Sequence, residues 1–196
     1  MLADELATAV GRGGREVIRA SIDGFHRPHA RRYRLGADSP EGYYLDSFDT
    51  DALRRELLDP LGPGGSRLYR RAVFDFRADG AVEAPAERAA DDALLLFDGV
   101  FLLRPELLDA WDVSIFVRVE PQESLRRALV RDAALFGSAA EVERRYRVRY
   151  LPGQQLYLDT ADPGTHADFV VDNDDPAAPR LTATRPDGPC PGDSPC

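Results

Sequence analysis

The sequence predicts an α/β fold with a mainly parallel sheet and flanking helices. The run ALLLF at 93–97 is apolar without interruption, which is typical of a strand that is buried on both faces of a parallel sheet. The segment 113–119 is predicted to be another buried strand. Because helical patterns separate these strands, the chain has the alternation that indicates an α/β protein. At 196 residues it fits one domain, predicted over 1–180, with a helical lid at about 124–158.

The elements of the first half follow from local patterns. Residues 2–10 have helical spacing and end at a glycine-rich stretch, and Glu16–Ala20 is a short strand. Residues 24–49 are predicted to be a loop-like, substrate-facing insertion. Thr50 or Asp51 is expected to cap a helix that runs to Leu58. Residues 68–76 and a partner near Val82 indicate a hairpin that turns at 78–80, where Asp-Gly tolerates positive φ.

The second half continues the pattern of helices and strands. Residues 105–110 predict a short helix, and Pro121 suits the first turn of a helix to about Phe136. Residues 139–151 and those after Pro152 are helical, and 167–171 is the last strand. Residues 181–196, rich in Pro, Gly and Asp, are predicted to be a disordered tail whose two cysteines are incidental. A metal site there would need a histidine or more cysteines nearby.

Charge and composition exclude several classes of function. A net charge of −9 argues against general nucleic-acid binding, which needs a basic surface. A small anionic ligand is still compatible, because arginines cluster at 126–149. The sequence has neither a membrane-length apolar run nor a signal segment, so a cytoplasmic protein is expected. A homo-oligomer is left open.

Two aspartates are predicted to share one edge of the sheet. Asp23 follows the first strand and Asp98 closes the run ALLLF, and catalytic groups in parallel sheets lie beyond the carboxyl ends of the strands. Asp23 could accept a proton from a substrate hydroxyl, and Asp98 could help to hold Mg²⁺. The alternative is that Asp23 is a turn residue and Asp98 a loop cap.

Arginines form the second candidate group. Arg127 and Arg131 are four residues apart on the predicted helix after Pro121, so they share a face, and guanidinium groups suit phosphate oxygens. The alternative is a solvated basic face that pairs with Glu123, Asp132 and the other nearby acids.

Short motifs follow one another in a fixed order: SIDGFHRP at 21–28, SFD at 47–49, VFDF at 73–76, LFDGV at 96–100, SLRRALVRD at 124–132 and ADFVVDN at 167–173. In this order they resemble the uridine kinase branch of the P-loop kinases, which includes phosphoribulokinase-like proteins. The resemblance covers roughly residues 2–175. It implies a P-loop kinase-like sheet, ATP and Mg²⁺ as cofactors, and ATP-dependent phosphorylation of a hydroxyl on a nucleoside or similar small molecule.

The resemblance also assigns roles to individual residues. Asp23 corresponds to the general base, and Asp98 stands where the family has a glutamate near Mg²⁺. The phosphate-contacting, catalytic arginines correspond to Arg127 and Arg131. The residues expected to shape the acceptor pocket are Phe25, His26 and Phe74.

Three departures limit what the family resemblance implies. The loop GxxxxGK[ST] should precede the helix at residue 2, yet the chain begins there and all 25 of its Lys and Arg residues are arginine. We therefore expect that the first, central strand and the phosphate loop are missing, with Met1 internal to a longer protein. Tyr43 stands where the family has a ribose-binding aspartate, and Asp79 lies near the place of a base-contacting histidine. A non-catalytic pseudokinase, or a truncated fragment that retains only the acceptor-binding half, remains an alternative.

Overall fold

The computed structural model describes residues 2–184, which form two compact units, residues 2–102 and residues 103–184. The boundary between the units divides the single domain predicted over 1–180. The lid predicted at about 124–158 lies within the second unit. The predicted tail lies mostly outside the described residues, with both of its cysteines, but its first residues belong to a strand, Arg180–Ala183.

The first unit contains helices and short strands in alternation. Its helical segments are α1 (Leu2–Gly11), a 3₁₀ turn (Ile22–Phe25), α2 (His29–Arg32), α3 (Pro40–Asp46), α4 (Thr50–Leu53), a π-helical segment (Arg54–Leu58) and α5 (Asp59–Leu61). Its strands are β1 (Val17–Ser21), β2 (Leu68–Tyr69), β3 (Phe74–Asp75), β4 (Gly80–Ala81), β5 (Glu87–Arg88) and β6 (Leu94–Asp98).

The strands of the first unit form three pairs. β1 runs parallel to β6, with a register from Val17 opposite Leu94 to Ser21 opposite Asp98. β2 is antiparallel to β5, and β3 is antiparallel to β4. The β3–β4 pair confirms the predicted hairpin, and Asp79 at its turn has a φ of 50°. The prediction of one strand over 68–76 is wrong, because β2 and β3 are separate and have different partners.

Two predictions on helices in this unit are corrected. Residues 24–49 are not all loop, since α2 and α3 lie within them. The cap of α3 explains this: Ser39 Oγ accepts a hydrogen bond from the N–H of Gly42 at 2.9 Å, and proline fills the next position. Asp49, rather than Thr50 or Asp51, caps α4 by accepting a hydrogen bond from the N–H of Ala52 at 3.0 Å.

The burial of β6 also differs from the prediction. All five of its residues are half-buried rather than buried on both faces. The physical reason is its pairing, since in the described sheet β6 has β1 as its single neighbour. The core of the first unit is built instead around the 3₁₀ turn and the helix that follows α3. Its fully buried side chains include Ile18, Phe25, Leu53 and Leu57.

The second unit combines a three-stranded sheet with a helical region. Its elements are a 3₁₀ turn (Leu108–Ala110), β7 (Ile115–Arg118), α6 (Pro121–Arg131), α7 (Ala133–Phe136), α8 (Ala139–Arg145), a π-helical segment (Tyr146–Tyr150), α9 (Leu151–Ala161), α10 (Pro163–His166), β8 (Phe169–Asp172) and β9 (Arg180–Ala183). β7 is parallel to β8, and β8 is antiparallel to β9, a strand that the sequence did not predict.

Burial in this unit centres on the helices. Leu125, Ala128, Val142 and Tyr146 form a cluster between α6, α8 and the π-helical segment. The prediction of a doubly buried strand at 113–119 is wrong: on β7 the side chains of Ile115 and Val117 are each 40% exposed. β7 is an edge strand of the described sheet, which leaves one of its sides without a neighbour.

The helix boundaries of the second unit also correct the sequence predictions. The helix predicted over 121–136 is interrupted at Asp132, where α6 ends and α7 begins. Of the helix predicted over 105–110, the structure has the 3₁₀ turn alone.

The α/β class is confirmed, with parallel pairing in both units. Within residues 2–184, no helix combines the length and apolar character that a membrane crossing requires.

Candidate active site

Asp23 stands at the carboxyl end of β1 on a well-anchored turn. Its neighbours Ile22 and Phe25 are buried in the core, whereas Asp23 itself is exposed. Ser21 Oγ caps the turn by accepting a hydrogen bond from the N–H of Asp23 at 3.4 Å. No hydrogen bond to the Asp23 carboxylate comes from the described part of the chain. The turn therefore fixes the backbone and leaves the carboxylate open to a ligand.

Asp98 ends the neighbouring strand at the same level. It lies opposite Ser21 in the parallel register, so Asp98 and Asp23 stand at the same end of the β1–β6 pair. Its carboxylate is already engaged, because Asp98 Oδ1 accepts a hydrogen bond from Arg19 Nη2 at 2.7 Å. The same guanidinium donates to the carbonyl of Leu96 at 2.6 Å and to Asp4 Oδ1 at 3.3 Å.

This pairing bears on the expected Mg²⁺ site. The protein side of such a site usually supplies one or two carboxylates beside substrate phosphates. Within residues 2–184, no group of three or more His, Cys, Asp or Glu side chains is placed to hold a metal ion. Asp98 is the expected ligand, and it shares its oxygen with Arg19. Asp98 Oδ1 is thus held by Arg19, which leaves Oδ2 as the oxygen that would contact Mg²⁺, and no step is assigned to the metal.

His26 lies between two aromatic rings beside Asp23. Its ring centroid is 4.6 Å from that of Phe48 and 4.7 Å from that of Phe76. His26 Nδ1 is 3.0 Å from the carbonyl oxygen of Asp23. Because a carbonyl can only accept, Nδ1 carries the proton and Nε2 of the neutral ring is an acceptor. Burial lowers the pKa of His26, although Asp23 acts in the opposite direction. The lowered pKa favours the neutral form of the ring.

The other two aromatic residues expected at the acceptor pocket lie in different surroundings. Phe25 is fully buried, and its ring centroid is 6.3 Å from that of Phe97, which makes it a core residue. Phe74 is half-buried on β3. The hairpin residue whose ring contacts His26 is Phe76, two positions further along, which sequence reasoning missed.

A chain of rings continues from His26 toward the loop that follows β6. Phe48 is 6.4 Å from Phe101, and Phe101 is 4.9 Å from Tyr43 and 5.1 Å from Tyr44, measured between ring centroids. Phe101 is buried and has a φ of 64°, in the left-handed region that costs a bulky residue about 1–2 kcal/mol. Tyr43 therefore packs edge-on against Phe101 in this chain of rings.

Gly99 brings that same loop against the turn that carries Asp23. Its φ is 156°, and a Cβ at this position would lie 2.2 Å from Ile22 Cγ2. Only glycine permits so close an approach without a shift of one of the two segments. The close contact ties the loop after Asp98 to the residue that precedes Asp23.

Asp79 joins the hairpin to α2 rather than pointing to a free ligand position. Its Oδ1 accepts a hydrogen bond from the N–H of His29 at 2.7 Å and another from Arg32 Nη2 at 3.1 Å. The hydrogen bond from His29, with that from Arg32, lowers the pKa of Asp79. Asp79 thus fixes the hairpin turn to α2.

Arg127 and Arg131 lie in the second unit and are engaged there. Arg127 donates to Glu123 Oε1 at 2.6 Å and to the carbonyls of Asn173 at 2.6 Å and Asp174 at 3.0 Å. Hydrogen bonds from Arg126 and then Arg127 lower the pKa of Glu123 to about 2.

Arg131 has equally close partners. It donates to both carboxylate oxygens of Asp132, at 2.6 and 2.8 Å, and to the hydroxyl of Tyr146 at 3.0 Å. Burial raises the pKa of that tyrosine to about 12. The acids that the sequence offered as alternative partners of these arginines do pair with them.

Comparison with known proteins decides the fold family. No protein-family model matches the chain. A uridine kinase of Chlamydia pneumoniae is 25% identical over 128 residues, which are 64% of this chain and 55% of that protein. The chain thus spans about half the length of this relative.

Two solved structures share the fold over most of the chain. A protein of Bacillus stearothermophilus described as a possible uridine kinase has a TM-score of 0.66 at 21% identity, covering 86% of this chain and 79% of its own. The phosphoribulokinase of Rhodobacter spheroides has a TM-score of 0.61 at 18% identity, covering 85% and 63%. The chain has the fold of uridine kinase-like and phosphoribulokinase-like P-loop kinases. The resemblance drawn from the motifs is thereby confirmed.

Within this P-loop kinase fold, the sequence also missed Arg19. The one available signal was an arginine in the middle of a short apolar strand, VIRAS, where a charged residue needs a partner. That partner is Asp98.

Proposed function

We propose that the chain binds a small hydroxylated molecule, nucleoside-like in size, beside Asp23, and that ATP phosphorylates the hydroxyl of this acceptor. The observation that carries the proposal is the exposed Asp23 carboxylate, free of described partners, on a turn anchored by Ile22 and Phe25. The fold and the similarity to a uridine kinase support it.

In the proposed reaction the protein itself does little covalent chemistry. The acceptor hydroxyl gives its proton to Asp23 as its oxygen forms a bond to the γ-phosphorus, while the bond from phosphorus to the bridging oxygen breaks and ADP leaves. His26 Nε2 can accept a hydrogen bond from a second hydroxyl, and Phe76 offers a face for a flat ring. Arg127 and Arg131 are the proposed phosphate contacts, provided that they exchange their carboxylate partners for phosphate oxygens.

A panel of nucleosides and sugars, assayed with Mg-ATP on the full chain, tests the acceptor class. Asp23→Asn should lower turnover about 10²–10⁴-fold while leaving acceptor affinity nearly unchanged, because the amide keeps the shape and cannot take the proton. Asp51→Asn, at an exposed position of α4, is the matched control and should leave turnover unchanged. Equal turnover of the Asp23 variant and the parent would remove Asp23 from its role.

A second candidate is an acceptor-binding protein that does not transfer phosphate. The pairing of Arg127 with Glu123 and of Arg131 with Asp132 favours it, since both guanidinium groups have protein partners without any nucleotide. Calorimetric titration with Mg-ATP separates the two candidates. Micromolar binding with turnover excludes the binding protein, whereas acceptor binding with no response to Mg-ATP excludes the kinase.

We also propose a cytoplasmic location, which the need for ATP supports. Light scattering on the purified chain distinguishes a monomer from a homo-oligomer.

A further inference from the structure

Arg19 lies in the middle of β1, and its side chain reaches the carboxyl end of the strand pair. In the parallel register Arg19 stands opposite Leu96, and Asp98 lies two residues further along β6 on the same face. The long side chain of Arg19 spans this offset, since its Nη2 is 2.7 Å from Asp98 Oδ1. Arg19 therefore contacts the carboxylate at the edge where the turn that carries Asp23 begins.

Three acceptors hold the Arg19 guanidinium group in one orientation. Nη1 donates to the carbonyl of Leu96 at 2.6 Å, and Nη2 donates to Asp98 Oδ1 at 2.7 Å. From α1, Asp4 Oδ1 accepts from Nε at 3.4 Å and from Nη2 at 3.3 Å. The side chain of Arg19 is 24% exposed and that of Asp98 is 32% exposed, so solvent screens their ion pair only in part. Because the guanidinium fork is planar and rigid, it orients the Asp98 carboxylate as well as neutralising it.

This arrangement engages one oxygen of the Asp98 carboxylate and leaves the other without a partner. Oδ2 accepts no hydrogen bond from residues 2–184, and the carboxylate has no partner there besides Arg19. Mg²⁺ prefers oxygen ligands and is usually bound through one or two carboxylates together with water and substrate phosphates. A carboxylate that is fixed through Oδ1 can therefore offer Oδ2 to a divalent cation.

We propose that Arg19 is a positioning residue for Asp98, which it holds in the orientation that lets Oδ2 contact a divalent cation. This inference rests on the proposed function, in which Mg-ATP is the phosphoryl donor. Groups that orient a metal-binding side chain typically contribute about 10–100-fold to metal affinity. The positive charge of Arg19 has the opposite effect, because it repels a nearby cation. We expect orientation to outweigh repulsion, so that removing the guanidinium group weakens cation binding. An ion pair that serves only the fold would give the reverse result, since the carboxylates of Asp98 and Asp4 would attract a cation more strongly without Arg19.

Titration of Mn²⁺ into the full chain, with free Mn²⁺ followed by electron paramagnetic resonance, measures cation binding without nucleotide or acceptor. Mn²⁺ takes the same oxygen ligands as Mg²⁺. We expect the parent chain to bind Mn²⁺ at a site that Asp98→Asn abolishes. Arg19→Gln and Arg19→Lys should each raise the dissociation constant of that site at least about tenfold, because neither side chain can bridge Asp98 and the Leu96 carbonyl with a planar fork. Arg118→Gln removes an arginine that bonds to Asp172 across the other parallel pair, β7–β8, and should leave the titration unchanged.

The sign of the change decides the assignment. An affinity that is unchanged or raised in Arg19→Gln would overturn it, and so would a parent chain without binding that depends on Asp98. Circular dichroism checks the fold of each variant, and Arg19→Lys, which keeps the charge, carries the test if Arg19→Gln does not fold. Asp4→Asn removes the anchor on α1 and leaves the pair with Asp98, so it should leave the dissociation constant nearly unchanged. A loss in Asp4→Asn as large as that in Arg19→Gln would mean that the docking of α1, and not the hold on Asp98, sets the affinity.

The kinase assay separates this inference from the proposed function. Arg19→Gln should raise the Mg²⁺ concentration that gives half-maximal turnover at least about tenfold, while excess Mg²⁺ restores kcat. A fall in kcat that excess Mg²⁺ does not restore would count against a role in positioning Asp98. Mn²⁺ binding that depends on Arg19, in a chain that phosphorylates no acceptor, would refute the kinase function and support the positioning role.

Discussion

The free-energy cost of the left-handed backbone conformation at Phe101 can be measured by comparing two substitutions at this position. Phe101 is buried, 3% exposed, and has a φ of 64°, which an L-residue adopts at a cost of about 1–2 kcal/mol. Phe101→Ala removes the ring, a loss of about 3–5 kcal/mol, and keeps the strained φ. Phe101→Gly removes the same ring and relieves the backbone strain. It also loses about 0.4–1 kcal/mol of stability, because glycine has greater freedom in the unfolded chain. We therefore expect the glycine variant to be more stable than the alanine variant by about 1 kcal/mol.

Urea unfolding followed by circular dichroism gives the two free energies of unfolding. Phe25 is the matched control, because it is also fully buried and has an ordinary negative φ in its 3₁₀ turn. There the order should reverse, with Phe25→Gly less stable than Phe25→Ala by about 0.5–1 kcal/mol. If Phe101→Gly proves less stable than Phe101→Ala, as at the control position, the loop after Asp98 is not held in the left-handed conformation and the reasoning fails.

Three further predictions concern single side chains. Gly99→Ala places a Cβ 2.2 Å from Ile22 Cγ2, so thermal melts should show a loss of about 1–3 kcal/mol, whereas Gly11→Ala, with nothing within 4 Å, should be nearly neutral. Tyr146→Phe should cost about 1–2 kcal/mol in urea unfolding, because a buried carboxylate loses a hydrogen-bond donor; an unchanged midpoint would contradict this. The pKa of Glu123 is lowered from 4.5 to about 2 by hydrogen bonds from arginines, so its contribution is present above pH 4.5 and is lost as the pH falls toward 2. Glu123→Gln should flatten the dependence of the melting temperature on pH in that window, and an unaltered slope would show that this exposed pair contributes nothing measurable.

The sequence predicted the order of elements well where local chemistry decides it. The first strand, predicted over 16–20 and observed at 17–21, the hairpin turn at Asp79 and the start of α6 at Pro121 all follow from residue types whose backbone preferences are strong. The helices within residues 24–49 were missed because arginine, proline and glycine suggested a loop. Ser39 could be recognised in the sequence as a capping residue, but whether the capped segment forms a helix depends on what α3 packs against.

Burial was harder to predict than secondary structure. The apolar character of β6 indicated a strand covered on both faces, yet covering depends on neighbouring strands, and the register with β1 is its one partner in the described sheet. The contact between Phe76 and His26 could not be predicted for a related reason. Phe74 and Phe76 are two residues apart and equivalent by pattern, and the structure shows that the ring of Phe76 contacts His26.

Charge alone would not single out Asp23 as a functional residue. With a net charge of −9, the chain has more acids than arginines, so not every carboxylate can have an arginine of its own. Asp23 is distinguished by a backbone that its neighbours hold in place and by a carboxylate without a partner in the described part of the chain. Buried Ile22 and Phe25 fix its turn, and Gly99 presses the neighbouring loop against Ile22. The fold does not need an exposed carboxylate at this position in order to be stable. A bound hydroxyl, in contrast, needs an exposed group there that can accept its proton. The acceptor side of the proposed reaction is therefore supported by the geometry around Asp23. The donor side still requires that Arg127 and Arg131 release Glu123 and Asp132.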